Sequence, residues 1–365
     1  MRVLHVIDNL IVGGAQKLVT ELCVASKHAG KDVELYVLCS GGIFEADARG
    51  AGITVLTGGN ASVYSPVHII RLARFLKSRK FDLIHVHLYP AQLWVCLAIR
   101  LAGVRTPIVT TEHSTSNRRR TAIFRMIDRW MYRQFAAIAA ISDATRDALL
   151  AHIGGGIPLI RVVPNGVDAT RFEGSASGPR EPKTTALVVL STGTLTRVKD
   201  QATLIRAIAQ VAGATLVLAG DGPMRSELEA LASQLGVRSR VGFLGARHDI
   251  PELIADADLY VQASLWEGFC LAVVEAMCGG LPCVVSRNSG LQEIVGQAGL
   301  YFEPGDADEL ASLIRILSAD PARRMAMAAR SVEQASRFSL KACCAAYEDF
   351  YGEVIQQMSP PVSVS

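Results

Sequence analysis

A chain of 365 residues exceeds what one ordinary hydrophobic core accommodates, so two domains are expected. Apolar residues make up 50% of it, which excludes disorder over most of the length. A formal charge of +3 gives no global case for nucleic acid, and eight scattered cysteines without a C-x-x-C pair read as reduced thiols packed as small hydrophobes, not as a zinc or disulfide framework.

Residues 3–7 read as a strand, without the long apolar core and cleavage site of a signal peptide. Further strands are expected at 33–39, 53–56, 83–87, 108–111, 137–141 and 160–163. The segments between them carry helical spacing, as in Ile69, Leu72, Ala73 and Leu76. Continuous apolar strands alternating with helices imply a parallel sheet covered on both faces. The apolar stretch 88–99 is broken by Pro90 and ended by Arg100, too short to span a bilayer. A cytoplasmic protein is expected, or one held peripherally on the cytoplasmic face of a membrane.

The rhythm lapses at 169–185, where Gly174, Ser175, Ser177, Gly178 and Pro179 suggest a linker. It resumes with strands at 186–190, 215–219, 241–244, 259–262, 283–285 and 299–302, then helices near 306–318, 321–336 and 340–357. The expected fold is therefore α/β, with two doubly wound Rossmann-like domains facing across a cleft: 1–168, a linker 169–185, 186–340, and a C-terminal helix and tail, 341–365, crossing back toward the first. In such sheets ligands lie beyond the carboxyl ends of the strands.

Those ends carry the polar signals. Gly13-Gly14 after the first strand allow close backbone approach at a helix N-terminus, or simply form a tight turn; they do not spell G-x-G-x-x-G, and no acidic residue ends the second strand to grip a ribose, which disfavours a nicotinamide site. His85 and His87 share one side of their strand; a buried, hydrogen-bonded histidine is the ordinary reading of His85, and His87 is balanced between that and a site. Glu112 and His113 place a carboxylate and an imidazole at the next strand end. In the second half, Arg197 and Lys199 precede a helix and form an anion site, the backbone dipole and the cations acting together. The most informative stretch runs from Ser264 to Ala276: Glu267 lies in a loop, Gly268 permits a tight turn, and Glu275 is embedded in an apolar run where an unpaired charge is costly. Such a carboxylate needs partners, and sugar hydroxyls are suitable ones.

This combination resembles the retaining glycosyltransferases of the GT-B architecture, specifically the large family four, along nearly the whole chain. Gly13-Gly14 resembles the family's N-terminal glycine loop, Asn165-Gly166-Val167-Asp168 its signature before the linker, Lys199 its phosphate-binding lysine, and Glu267 with Glu275 its E-x7-E motif. The resemblance implies a retaining hexosyltransferase that needs no metal or other cofactor. Lys199 would hold the donor diphosphate and Glu275 the nucleotide ribose. Glu267, Gly268 and the backbone of Phe269, Cys270 and Leu271 would position the transferred sugar. His113 resembles a histidine contacting that sugar, and Gly14 would lie near the diphosphate; His113, Lys199 and Glu267 are the catalytic candidates. Gly13, His87 and Glu112 are acceptor-side candidates, the acceptor being a lipid-linked or cell-surface glycan intermediate of polysaccharide biosynthesis. Two departures touch the phosphate region: Thr194 stands where the family usually has arginine, with Arg197 nearby, and Ser289-Gly290 replaces a glycine pair.

Residues 117–135 read as a basic amphipathic helix, with Arg125, Arg129 and Arg133 on one stripe and Ile123, Ile127 and Met131 on another. It suits either an anionic membrane surface or an ordinary solvated face. Competing functions are an epimerase or hydrolase of the same fold, and a nucleotide-sugar-binding protein that has lost catalysis.

Overall fold

The computed structural model describes residues 1–11, 13–115, 122–172 and 186–358. The chain forms two compact units, residues up to Gly166 together with those from Leu340 onward, and Val167–Ser339.

The first unit runs β1 (Arg2–Ile7), α1 (Gly14–His28), β2 (Asp32–Val37), α2 (Ile43–Gly50), β3 (Thr54–Thr57), α3 (Val67–Ser78), β4 (Leu83–His87), α4 (Ala91–Ala102), β5 (Ile108–Glu112), α5 (Ala122–Tyr132), β6 (Ala137–Ala140), α6 (Asp143–Ile153) and β7 (Leu159–Val162). All pairings are parallel, in the order β3-β2-β1-β4-β5-β6-β7. β1, β4 and β6 are buried almost end to end because helices cover both faces, and the histidines of β1 and β4 are enclosed with their apolar neighbours.

The second unit runs β8 (Leu187–Thr192), α7 (Gln201–Ala209), β9 (Ala214–Ala219), α8 (Arg225–Gln234), β10 (Val241–Gly245), α9 (Ile250–Asp256), β11 (Leu259–Gln262), α10 (Leu271–Cys278), β12 (Cys283–Ser286), α11 (Ser289–Val295), β13 (Leu300–Phe302), α12 (Ala307–Ala319) and α13 (Pro321–Ala335). Its parallel sheet is ordered β10-β9-β8-β11-β12-β13. Asn288 caps α11, Asp306 caps α12, and Asp320 with Pro321 starts α13. The last helix, α14 (Leu340–Met358), belongs to the first unit: Tyr347, Phe350, Tyr351 and Val354 bury against Val3, Leu18, Leu83 and Val109.

Both sheets reverse strand order once, between β1 and β4 and between β8 and β11. Crevices at such reversals, beyond the carboxyl ends of the strands, are where doubly wound sheets take ligands. The expected linker needs correction at its start: Ala169–Phe172 is a 3-10 turn whose Phe172 is fully buried, because an aromatic ring there gains more from packing than from solvent. Residues 173–185 lie outside those described. All eight cysteines are free thiols, six of them buried. Among the described residues, no helix is long and apolar enough to cross a membrane.

Candidate active site

In the second unit, both strands flanking the reversal feed motif-bearing loops. β8 leads through Gly193 into a 3-10 turn over Arg197–Lys199, and β11 leads into the turn carrying Glu267. The two loops are tied together. Leu265 N–H donates to the Val198 carbonyl at 2.8 Å. Lys199 Nζ lies 2.5 Å from Glu267 Oε1, with the two side chains 21% and 12% exposed. The same Oε1 accepts from Ser264 Oγ at 2.7 Å, which in turn accepts from Gln262 Nε2 at 2.7 Å. Tyr260 OH donates to Gln262 Oε1 at 3.0 Å. Tyr260, Gln262 and Ser264 alternate along one face of β11 and its extension, so the strand delivers a polar rail to the carboxylate.

Burial works against the Lys199 ammonium, but the facing Cys270 sulfur and Glu267 carboxylate outweigh it and its pKa is raised. Burial pushes the Cys270 thiol up to about 12, so the sulfur is uncharged near neutrality and Glu267 is the partner that counts. Lys199 is thus a permanent cation held by a carboxylate.

Cys270 precedes α10 and makes no side-chain cap bond; the Val273 and Val274 N–H groups donate to its carbonyl. Glu275 is buried on α10, 7% exposed, near the Cys270 and Cys278 sulfurs. The neighbouring turns approach backbone to backbone. A Cβ on Gly220 would meet the Gly193 carbonyl oxygen at 2.0 Å, and one on Gly290 would meet that of Glu267 at 2.3 Å. Of the pair Ser289-Gly290, glycine is therefore retained where the Glu267 turn packs. Arg197 and Thr194 are exposed on the rim of the Lys199 loop.

In the first unit, Gly13 precedes α1, and Gly14, its first residue, is exposed; no side chain caps this helix. Asp8, just past β1, accepts from the Asn9 N–H through Oδ1 at 2.7 Å, and burial pushes its pKa up to about 6 against the pull of that bond and of Gln16. Glu112 is engaged: its Oε1 accepts from Gln92 Nε2 at 2.7 Å and from the Tyr132 hydroxyl. It ties β5 to α4 and α5.

His87 is fully enclosed, so it meets a ligand only through a neighbour. Its Nδ1 lies 3.2 Å from His113 Nε2 and its Nε2 lies 3.0 Å from Nδ1 of His5, which pairs with His85 in the register of β1 and β4. His85 is bound on both nitrogens, to Tyr351 OH at 2.6 Å and Thr111 Oγ1 at 2.7 Å. Burial lowers His5 and His113 to about 4, and lowers His85 and His87 well below the ordinary imidazole value with help from neighbouring imidazoles. Ring nitrogens of His5, His85 and His87 lie within 4.8 Å of one another, close enough for a metal donor set, although hydrogen bonds already engage them. His5, Gln262 and Ser264 escaped the sequence reading. The available signal was polar residues alternating inside otherwise apolar strands.

The second unit carries the motif order of one enzyme class, and comparison decides which. Residues 176–334 match the model of "Glycosyl transferases group 1" and residues 12–171 that of "Glycosyltransferase Family 4". The 2-deoxystreptamine glucosyltransferase of Streptomyces kanamyceticus is 30% identical over 270 residues, 66% of this chain and 69% of that protein. The chain belongs to the GT-B glycosyltransferases. This glycosyltransferase uses a nucleotide sugar. It is also 27% identical, over 68% of its length and 69% of the relative's, to an Escherichia coli UDP-Gal:alpha-D-GlcNAc-diphosphoundecaprenol alpha-1,3-galactosyltransferase. The crystal structure of Anabaena Alr3699/HepE in complex with UDP-glucose is similar to it with a TM-score of 0.85 at 25% identity, over 97% of this chain and 100% of that one.

Proposed function

We propose that this glycosyltransferase moves a hexose from a nucleoside-diphosphate sugar to a lipid-linked glycan acceptor, with retention of anomeric configuration and without a metal. The observation that carries this reading is the Lys199–Glu267 pair at the strand reversal of the second unit, beside the start of α10. A departing nucleoside diphosphate is an acidic leaving group that needs charge stabilisation more than protonation. A permanent cation and the N-terminal end of α10, whose dipole favours negative charge, supply it in a preorganised form. Lys199 takes the diphosphate, the buried Glu275 takes the ribose hydroxyls, and Glu267 with the backbone of residues 268–271 orients the sugar. His113 contacts the sugar, Gly14 serves the diphosphate and Gly13 the acceptor. Glu267 is assigned orientation, its Oε1 being held by Lys199 and Ser264.

A lipid-linked acceptor suits the printed activity of the E. coli relative and the face of α5. There Arg125 and Arg129, with Arg133 just past the helix end, are exposed, as are Phe124 and Met126, whereas Met131 and Asp128 are buried. Arg118, Arg119 and Arg120 lie outside the described residues.

The test screens UDP-, GDP- and ADP-sugars by thermal shift, then assays transfer from the best donor to a polyprenyl-diphosphate sugar, with and without EDTA. Product NMR reads the anomeric configuration. Transfer with retention, indifferent to EDTA, is expected. Donor consumption independent of acceptor would favour a hydrolase or epimerase, and binding without turnover an inactive sugar-nucleotide binder.

A further inference from the structure

His113 is not an isolated imidazole. It ends a row running through His87 to His5, with contacts of 3.2 and 3.0 Å. Two of its members face the same side of the sheet from adjacent strands, and His113 follows the next strand over. His113 Nδ1 is buried without a hydrogen-bond partner, while its Nε2 is held by His87. A neutral imidazole has one N–H and one bare nitrogen, so in this row the hydrogen bonds must all run one way. Either His5 and His87 each donate from Nδ1 and His113 is left with an Nδ1 proton, or the row is reversed and His113 Nδ1 is a bare acceptor.

We propose that His87, backed by His5, is a positioning residue that locks the His113 ring and fixes the donor or acceptor character of the nitrogen it turns to the sugar. This rests on the reading that His113 contacts the transferred sugar. His113 then meets one sugar hydroxyl through Nδ1 alone, because ring rotation would break the bond to His87. A hydroxyl fits either direction, donating to a bare Nδ1 or accepting from a protonated one. His85 braces the row from outside: both its nitrogens are engaged, and Thr111 also meets Tyr347 OH at 3.1 Å, so α14 clamps the cluster. Their common neutrality fits their burial, since a charge on any one would sit beside the others without solvent.

Two measurements test this. Imidazole 15N NMR of the selectively labelled wild-type protein should find His5, His87 and His113 neutral, each in a single tautomer, with the same directional sense along the row. An imidazolium near neutral pH, opposed senses, or stoichiometric Zn2+ uptake that replaces the inter-ring bonds would overturn the proposal. In kinetics, His113→Ala establishes whether His113 matters at all; if transfer is unchanged, the underlying reading fails. Given a loss there, His87→Leu should lower kcat by about tenfold or more with donor KM little changed and scramble the His113 tautomer. His87→Asn, whose amide can occupy the place of Nδ1, should recover most of the rate. A His87→Leu protein that is folded, keeps one His113 tautomer and turns over like wild type would refute the role of His87 while leaving that of His113 intact.

Discussion

Lowering the pH from 7 to 5 should destabilise the first unit preferentially. His5, His85, His87 and His113 are all held neutral by burial, the first and last at about 4 and the middle two well below the ordinary imidazole value. In the unfolded chain each titrates near 6.5. Below that value the unfolded state takes up protons the native state refuses, so stability falls as the pH drops toward 4. Between pH 6.5 and 5 His5 and His113 each cost about 2 kcal/mol at roughly 1.4 kcal/mol per pH unit, about 4 kcal/mol together, and His85 and His87 act in the same direction. Asp8 opposes this: its pKa is pushed up to about 6, so its protonation in the native state returns about 1 kcal/mol by pH 5. The net loss from His5, His113 and Asp8 alone, about 3 kcal/mol, is a large fraction of the stability of an ordinary domain. Trp94 on α4 and Trp130 on α5 report on this unit; of the three tryptophans only Trp266 lies in the other. Urea unfolding of the Trp266→Phe protein, followed by tryptophan fluorescence at several pH values, should give a steep decline below pH 6.5. A stability that falls by no more than one imidazole's worth, about 1.4 kcal/mol per pH unit, would refute the reasoning.

Replacing Lys199 by alanine removes the cation and leaves the Glu267 carboxylate, 12% exposed, with Ser264 Oγ on its Oε1. Affinity for the preferred nucleoside diphosphate should fall far more than affinity for the matching nucleoside in titration calorimetry, and turnover should drop on the order of 100-fold for about 3 kcal/mol of lost stabilisation; equal losses for both ligands would remove the phosphate role. Gly290→Ala drives a methyl to 2.3 Å from the Glu267 carbonyl oxygen, so the Tm should fall by the equivalent of about 1–3 kcal/mol and donor binding should weaken with it. Calorimetric unfolding with and without donor checks both effects. Glu275→Gln should weaken nucleotide binding while the melting temperature changes little, read by the same titration.

The strand pattern was legible because both faces of each sheet are covered, which forces apolar residues into continuous runs. The strands 83–87 and 259–262 were placed from sequence at the bounds the structure gives, Leu83–His87 and Leu259–Gln262. The polar motifs were legible for the converse reason: lysine, glutamate and histidine at strand ends and in buried runs interrupt the apolar pattern, and burying such groups is costly without partners. Lys199 and Glu267 are separated by 68 positions, and motif order alone signalled that they belong to one site.

What the sequence by itself determined, then, is local: which segments are strands, which turns need glycine, and which strand ends hold charge. Tertiary structure decided the partners. His5 joins His85 because β1 and β4 pair in one register, 80 positions apart, and a shift by one residue would turn His5 to the other face. Glu112, read as an acceptor-side group, proves to brace β5 through Gln92 and Tyr132. Ser264 and Gln262 gain their meaning only when their rail meets Glu267 and Lys199. Periodicity records whether a side chain is buried; which group it meets there depends on strand register and helix packing, which no local pattern encodes.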